Sequence, residues 1–573
     1  MKRYTPPVAA CCLMLAVLAS SQTRAAENTW DNSSGNFLWD LSSANWTAPT
    51  VWSDGDDAIF GTTGAGTVTL GDSITVENQT FNAPGYTIVG DGNIMTVAGT
   101  TPTITVNADS TSAASIYGTD GLTIQGTGAL SLQGDAPNLD ANHYTGGTYV
   151  RGGTVLLGAR GANADGSSYA VDSIEVLDAG ATVKFDTLFD GTTYSSPAPN
   201  QIATHSTAFS SHLHMTGGTF DLNNEPRVQH IPIPDGTGLI VNNGAAVQSG
   251  LIMVVDGHDH EFSGVIADGG PLVGDNSGQG PGRQIGIVSF AATISTNGSV
   301  WTLSGPNTYS GSTRLQFGGS IKLVGNGTIG FPTSNGLTGP LRIYGPSYLD
   351  LNGHNQTIAL MTSGDAGGKI FNSAVGTVST LTFGYGNESV TSRNANMQYI
   401  DNPGTGGVLA MTKIGTNCIQ TLSGTNTYSG DTTVSEGTLA FAAASAVSPN
   451  SAFRLNTNPN NHSDLKLTYA GTANVRQLWI DGVQQPNGVY GAGTPGIDPA
   501  STGTITVTGA TVLLGFSQTG NAIMLTWQGN YKLQSKTNNI VGSWFDYPGG
   551  GTSPVNVTID PAQSSVFFRL SSP

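Results

Sequence analysis

The residues best equipped for chemistry crowd into one stretch. Of nine histidines, His205, His212, His214, His230, His258 and His260 fall between positions 205 and 260. His212-Leu213-His214 and His258-Asp259-His260 each have the i, i+2 spacing that puts two imidazoles on one face of a strand, a geometry open to a transition metal. No further ligand can be placed from spacing alone. Asp54, Asp56 and Asp57 form a second cluster (SDGDD) whose carboxylates could hold calcium, yet the spacing is neither that of an EF-hand loop nor that of a calcium-binding nonapeptide repeat, and a solvated turn explains it more simply. Acidic residues are plentiful enough for a carboxylate-based polysaccharide-cleaving site. The sequence has no G-x-S-x-G elbow, phosphate loop or HExxH zinc helix. We therefore assign no catalytic, cofactor-binding or metal residue, and no cofactor.

Stepping outward to the elements that would position such residues, the chain repeats itself. Leu303 to Gly311 reads LSGPNTYSG and Leu422 to Gly430 reads LSGTNTYSG, differing at Pro306 against Thr425. A looser copy begins at Tyr144, where YTGGTYVRGGTVLL aligns with YSGDTTVSEGTLAF from Tyr428. Internal repetition of turn residues followed by a short strand signals stacked units sharing one core. Short β-branched runs (TVTL, TITV, TVLL, SIEV, TLAF) bounded by Gly, Asn, Asp and Ser read as strands and tight turns, and long helical patterns are nearly absent. With 79 Gly in 573 residues and 10% charged residues, one long repetitive solenoid fits better than several ordinary domains.

The phrase resembles the autotransporter-associated β-strand repeat of exported bacterial passengers: Leu-Ser-Gly, a variable residue, Asn-Thr-Tyr, Ser or Thr, Gly, then Thr-x-Val and a Gly-Thr-Leu strand, matched almost completely by residues 422 to 441. FSGVIADGG from Phe262, YLDLNGHNQTI from Tyr348, the WIDGVQQPNGVYG stretch from Trp479, and Trp30, Trp39, Trp46 with Ala58-Ile59-Phe60 resemble further family segments. The likeness spreads over most of residues 27 to 509 and is thinnest between about 160 and 250. It implies an all-β, right-handed parallel β-helix and an exported or surface role, and it implies no particular enzymatic activity.

The solenoid is expected over residues 26–515, after a signal peptide at 1–25 in which Lys2 and Arg3 precede an apolar run from Pro7 to Ser20. Val8-Ala9-Ala10-Cys11 superficially matches a lipid-attachment box, but the apolar run lies mostly after Cys11. No other stretch is long and apolar enough for a transmembrane helix. Once Cys11 and Cys12 leave, Cys418 remains alone, so no internal disulfide is expected, and Cys418 itself is expected to be a buried small apolar residue.

Residues 516–573 change character to period-two aromatic strands and are expected to form a small β-module, a cap or a sorting tag, too short for a membrane barrel. With roughly 20 to 25 residues per coil, about 20 coils and a rod on the order of 100 Å follow. Asn307 and Asn426 are expected to stack as amide ladders, Tyr309 and Tyr428 to pack over turns, and Gly430 to hold a corner at positive φ.

The net charge of −18 disfavours nucleic acid and anionic membranes as partners. The function expected is that of a non-enzymatic surface or secreted adhesin or structural protein, with extracellular polysaccharide or other surface proteins as partners. The alternative is a carbohydrate-active β-helix, a lyase, hydrolase or glycan-binding module with a groove between about 185 and 300.

Overall fold

The structure, a computed structural model, describes residues 25–47, 51–135, 142–159, 169–189, 194–195, 201–202, 212–223, 229–243, 249–269, 285–291, 298–330, 340–361, 366–384, 393–395, 398–400, 406–457, 464–509, 514–527, 531–537, 543–563 and 565–571. Residues 1–24 of the expected signal peptide, His205 and several stretches between 190 and 297 lie outside the described residues.

Alternation of apolar and polar residues dictates the strands. Thr103–Val106 and Thr504–Val507, both TITV, each bury Ile and Val and turn Thr outward. Such short strands cannot bury an apolar face alone; they stack in parallel instead. One column runs from Glu27–Trp30 through Asp57–Phe60, Asn78–Phe81, Thr103–Val106, Leu122–Gly126 and Thr148–Val150 to Ile174–Leu177, every pairing parallel and nearly in register. It continues through Leu213–Asp221, Pro234–Asn242, His260–Phe262, Val300–Leu303, Ser320–Leu323, Tyr348–Asp350 and Lys369–Phe371 to Gln398–Tyr399. Further columns include Gln229–Pro232 to Leu341–Ile343 and Gln356–Ile358 to Gln477–Ile480. This is a parallel β-helix, with backbone hydrogen bonds running along its axis.

The interior is one continuous apolar cluster from Trp30 to Val507. Register makes like stack on like: the rings of Phe60 and Phe81 lie 4.8 Å apart and 8° from parallel. At the amino-terminal end Trp30, Trp39, Trp46 and Trp52 fill the column, edge to face except for the tilted Trp46–Trp52 pair, with centroid distances of 4.7 to 5.2 Å. The coils are less uniform than expected, because inter-coil hydrogen bonds span 20 residues of sequence at Asn426 and 59 at Gln420.

Beyond Val507 the pairing becomes antiparallel. Gly515–Thr519, Ala522–Thr526 and Val555–Thr558 form one sheet, and Phe545–Asp546, Lys532–Thr537 and Val566–Ser571 another. Leu525, Trp527, Leu533, Val555 and Val557 make a second core, separate from that of the solenoid.

Candidate binding surface

The repeated phrase wires the interior. Asn307 is 2% exposed; its Oδ1 accepts the Ile266 N–H (2.9 Å) and its Nδ2 donates to the Thr328 carbonyl (2.8 Å). Asn426, 1% exposed, accepts from Tyr399 N–H (3.0 Å) and donates to the Ala446 carbonyl (2.5 Å). Asn142 does the same between Ile116 and Ala170 (2.9 and 2.7 Å). The amides therefore do not ladder on one another. Each bridges the backbone of the coil before to the backbone of the coil after, at corners where strand pairing lapses, and so satisfies groups that would be costly to bury unpaired.

Two residues on, Tyr144, Tyr309 and Tyr428 lie in the core rather than over a turn, and their phenols meet Thr148, Thr313 and Thr432 at 2.6, 2.8 and 2.7 Å. Burial pushes the Tyr428 phenol up to about 12, against the lowering effect of its Thr432 hydrogen bond, and pushes Tyr144 and Tyr309 up as well. Gly430 is not at positive φ. Its need is close approach: a Cβ there would stand 2.3 Å from the Leu409 carbonyl oxygen.

Opposite this interior lies an outer face. Register aligns Thr357, Thr382, Thr412 and Thr433 as an outward ladder that continues into Arg454 and Trp479. Beside it an open groove of about 750 Å³ is lined by Val378, Thr380, Val408, Ala410, Met411, Thr412, Ser429 to Asp431, Thr433, Asn450 and Arg476. At one end, the Asp431 carboxylate takes Arg454 Nε at 2.6 Å and Arg476 Nη2 at 3.5 Å. The Arg454 guanidinium sits 4.9 Å from the Trp479 ring centroid, and Arg476 Nε donates to the Asn450 carbonyl (2.9 Å). Two guanidiniums to one carboxylate leave a local excess of positive charge on an acidic protein.

The two histidine pairs meet carboxylates. His212 meets Glu175 (3.2 Å), His214 meets Asp235 (2.6 Å), and His260 meets Asp256 (3.0 Å) with His258 3.6 Å from the same carboxylate. Asp256 is held down to about 2: burial opposes this, and the His260 contact, the His258 N–H and Ser299 outweigh it. His230 lies on the strand Gln229–Pro232. Asp54 accepts from the Thr75 N–H, Asp56 from Asn28 and Asp57 from Asn78, so the three carboxylates face different partners. Among the described residues no group of three His, Cys, Asp or Glu side chains could hold a metal ion.

Cys418 is buried and free, as expected, but not inert in its contacts. The wholly buried Lys413 amine, its pKa lowered by desolvation, reaches Cys418 Sγ at 3.0 Å and the carbonyls of Ile414, Gly415 and Glu436.

The description of a passenger-associated-transport-repeat family matches this sequence at residues 122–157, 296–322 and 412–441. Those three segments are the ones that contain the Asn-x-Tyr clamps. The chain carries passenger-associated transport repeats. A relative named adhesin BmaC autotransporter, from Brucella suis biovar 1 (strain 1330), is 32% identical over 166 residues, 26% of this chain and 5% of the relative. No solved structure matches the chain.

In each passenger-associated transport repeat of this chain the clamp triad is Asn, Tyr and Thr, and the looser copy is complete once Asn142 is included. Sequence reading began that copy at Tyr144 and so missed its asparagine. It also missed the buried glutamines: Gln201, Gln356 and Gln420 each hold both the N–H and the carbonyl of one residue in an earlier coil, Ala159, Ile329 and Met361. Gln-Thr followed by an aliphatic residue, at Gln356 and again at Gln420, was the available signal. The groove lies on the repeat at residues 412–441; a smaller pocket lined by Ile233, Met253, Ser299 and Trp301 falls in and beside the 185–300 region, where many residues are outside the described set. Asp431, Arg454 and Arg476 carried no sequence signal, because only the stacking register brings them together.

Proposed function

We propose that the chain acts as an exported, non-enzymatic adhesin-like passenger: a β-helical carrier whose repeats build a constant interior and whose outward positions meet a surface target such as extracellular polysaccharide or another surface protein. The supporting observation is the clamp itself. Three copies hold the same interior bonds, while the residue following the clamp threonine is Tyr149, Arg314 or Thr433. A scaffold that keeps its inside and varies its outside suits presentation better than a single chemistry. Similarity to a stretch of an autotransporter adhesin supports the same reading.

The region after about 515 is read as a cap or sorting module of this passenger. The test is binding of residues 26–573 to arrays of polysaccharides and surface proteins, with reducing-end and unsaturated-product assays on each hit. Binding without turnover is the expected result, and product release would replace the adhesin with an enzyme.

A further inference from the structure

The groove over the repeat at residues 412–441 has the chemistry of a subsite for an acidic saccharide. We propose that it binds a uronate-bearing glycan chain, with the sugar carboxylate held at Arg476 and Arg454 and the rings laid along the threonine ladder. The inference rests on the adhesin reading above and gives it a ligand class.

Three observations carry it. First, the charge arrangement is that of an anion site. Arg454 and Arg476 converge on Asp431, and both side chains are nearly half exposed, at 43% and 46%. Asp431 and the Trp479 ring fix the Arg454 plane before any ligand arrives, which lowers the ordering cost of a bidentate carboxylate contact.

Second, the lining is amphipathic in the way a pyranose is. Val378, Val408 and Ala410 offer apolar surface, and Thr380, Thr412, Thr433 and Ser429 offer hydroxyls that both donate and accept. Register sets Thr412 beside Thr433, and Thr380 beside Ala410, at the strand spacing of about 4.8 Å, close to the length of one sugar unit, along a volume large enough for several.

Third, the backbone excludes a peptide. The groove lies on a sheet face whose N–H and carbonyl groups are already paired between Val378–Phe383, Val408–Lys413 and Thr432–Val434. An extended peptide gains its affinity by adding to a free edge, and among the described residues the groove offers none. A dense polyanion such as nucleic acid is opposed by the overall charge of −18, whereas a ligand with one carboxylate per ring is matched by a local surplus.

The experiment is calorimetric titration of the full mature chain with size-defined oligogalacturonides, their methyl esters and a neutral galactan of equal length. Binding of the acid forms, weakened at least tenfold by esterification and by raised salt, is expected. Arg476→Gln should weaken it at least tenfold at unchanged circular dichroism and melting temperature. Asp431→Asn, which removes the competing negative charge but keeps an oxygen to hold the Arg454 plane, should leave binding intact or tighten it.

Binding unaffected by Arg476→Gln overturns the site. Equal binding of the methyl esters overturns the anionic chemistry, and so does preference for an acidic peptide over the oligogalacturonides. Absence of binding to any acidic oligosaccharide overturns the proposal as well, and the adhesin reading then stands or falls separately on the protein and neutral-glycan arms of the array.

Discussion

The segments beginning at Leu303 and Leu422 differ at one residue in their shared phrase, yet they face the outside differently. Inside, both place an asparagine amide between two coils and a buried tyrosine against a threonine. Just after the tyrosine, Ser310 of the first is buried and tied to Asp268, whereas Ser429 of the second is partly exposed and lines the groove. Two residues beyond Ser310 stands Ser312, where the second copy has Asp431, and with it the arginine cluster and the groove. The repeat identity thus specifies the turn and the core, and leaves the exterior free to vary.

The sharpest way to break the likeness is at the clamp. Asn426→Leu strands the Tyr399 N–H and the Ala446 carbonyl in a dry corner, and should cost about 4 kcal/mol at two buried unpaired groups. Asn307→Leu and Asn142→Leu should cost the same, read by urea unfolding and by hydrogen exchange local to each coil; a loss in one copy only would mean the three are not equivalent. Next is Gly430→Ala, at about 3 kcal/mol, because the new methyl collides with the Leu409 carbonyl oxygen and the coils must part. Gly471→Ala, at positive φ with nothing within 4 Å of the new atom, should cost about 1 kcal/mol from backbone strain alone. Similar melting shifts for the two would argue against close approach as the reason for Gly430.

Alkaline pH probes the tyrosines. A phenol raised from 10 to about 12 on folding contributes stability that is full below pH 10 and lost as pH rises toward 12, because the unfolded chain releases its proton first. Tyr428 alone should contribute a loss of about 1.4 kcal/mol per pH unit in that window, and Tyr428→Phe should flatten the slope by that amount in denaturant titrations at pH 9 to 12. The smallest effect is expected outside: Thr433→Ser and Tyr149→Ser should change stability by no more than about 0.5 kcal/mol by melting, as partly exposed positions with no part in the clamp.

The fold was legible from the sequence because its cause is local and repeated. Alternating TITV-like runs and a twice-stated turn are enough to require stacked parallel strands. The clamp was half legible. Identity marked Asn307 and Asn426 as important, but which atoms an amide meets depends on the coils above and below, so stacked amides were expected where backbone bridging is found. Gly430 likewise announced a constraint without its kind, since left-handed backbone and close approach both select glycine. The groove was not legible at all. Asp431, Arg454 and Arg476 are ordinary surface residues until the register sets them side by side, whereas the histidines that stand out in the sequence are drawn to carboxylates once folded, His212 and His214 to separate ones and His258 and His260 to Asp256.

The direction of the inter-coil hydrogen bonds gives the molecule a mechanical character. Tension applied from end to end loads those bonds along their own length, so coils should peel one after another rather than shear together. Each asparagine that ties a coil to both neighbours acts as a stitch across the tear, and a chain stitched at Asn142, Asn307 and Asn426 should resist pulling in three steps spaced along its length.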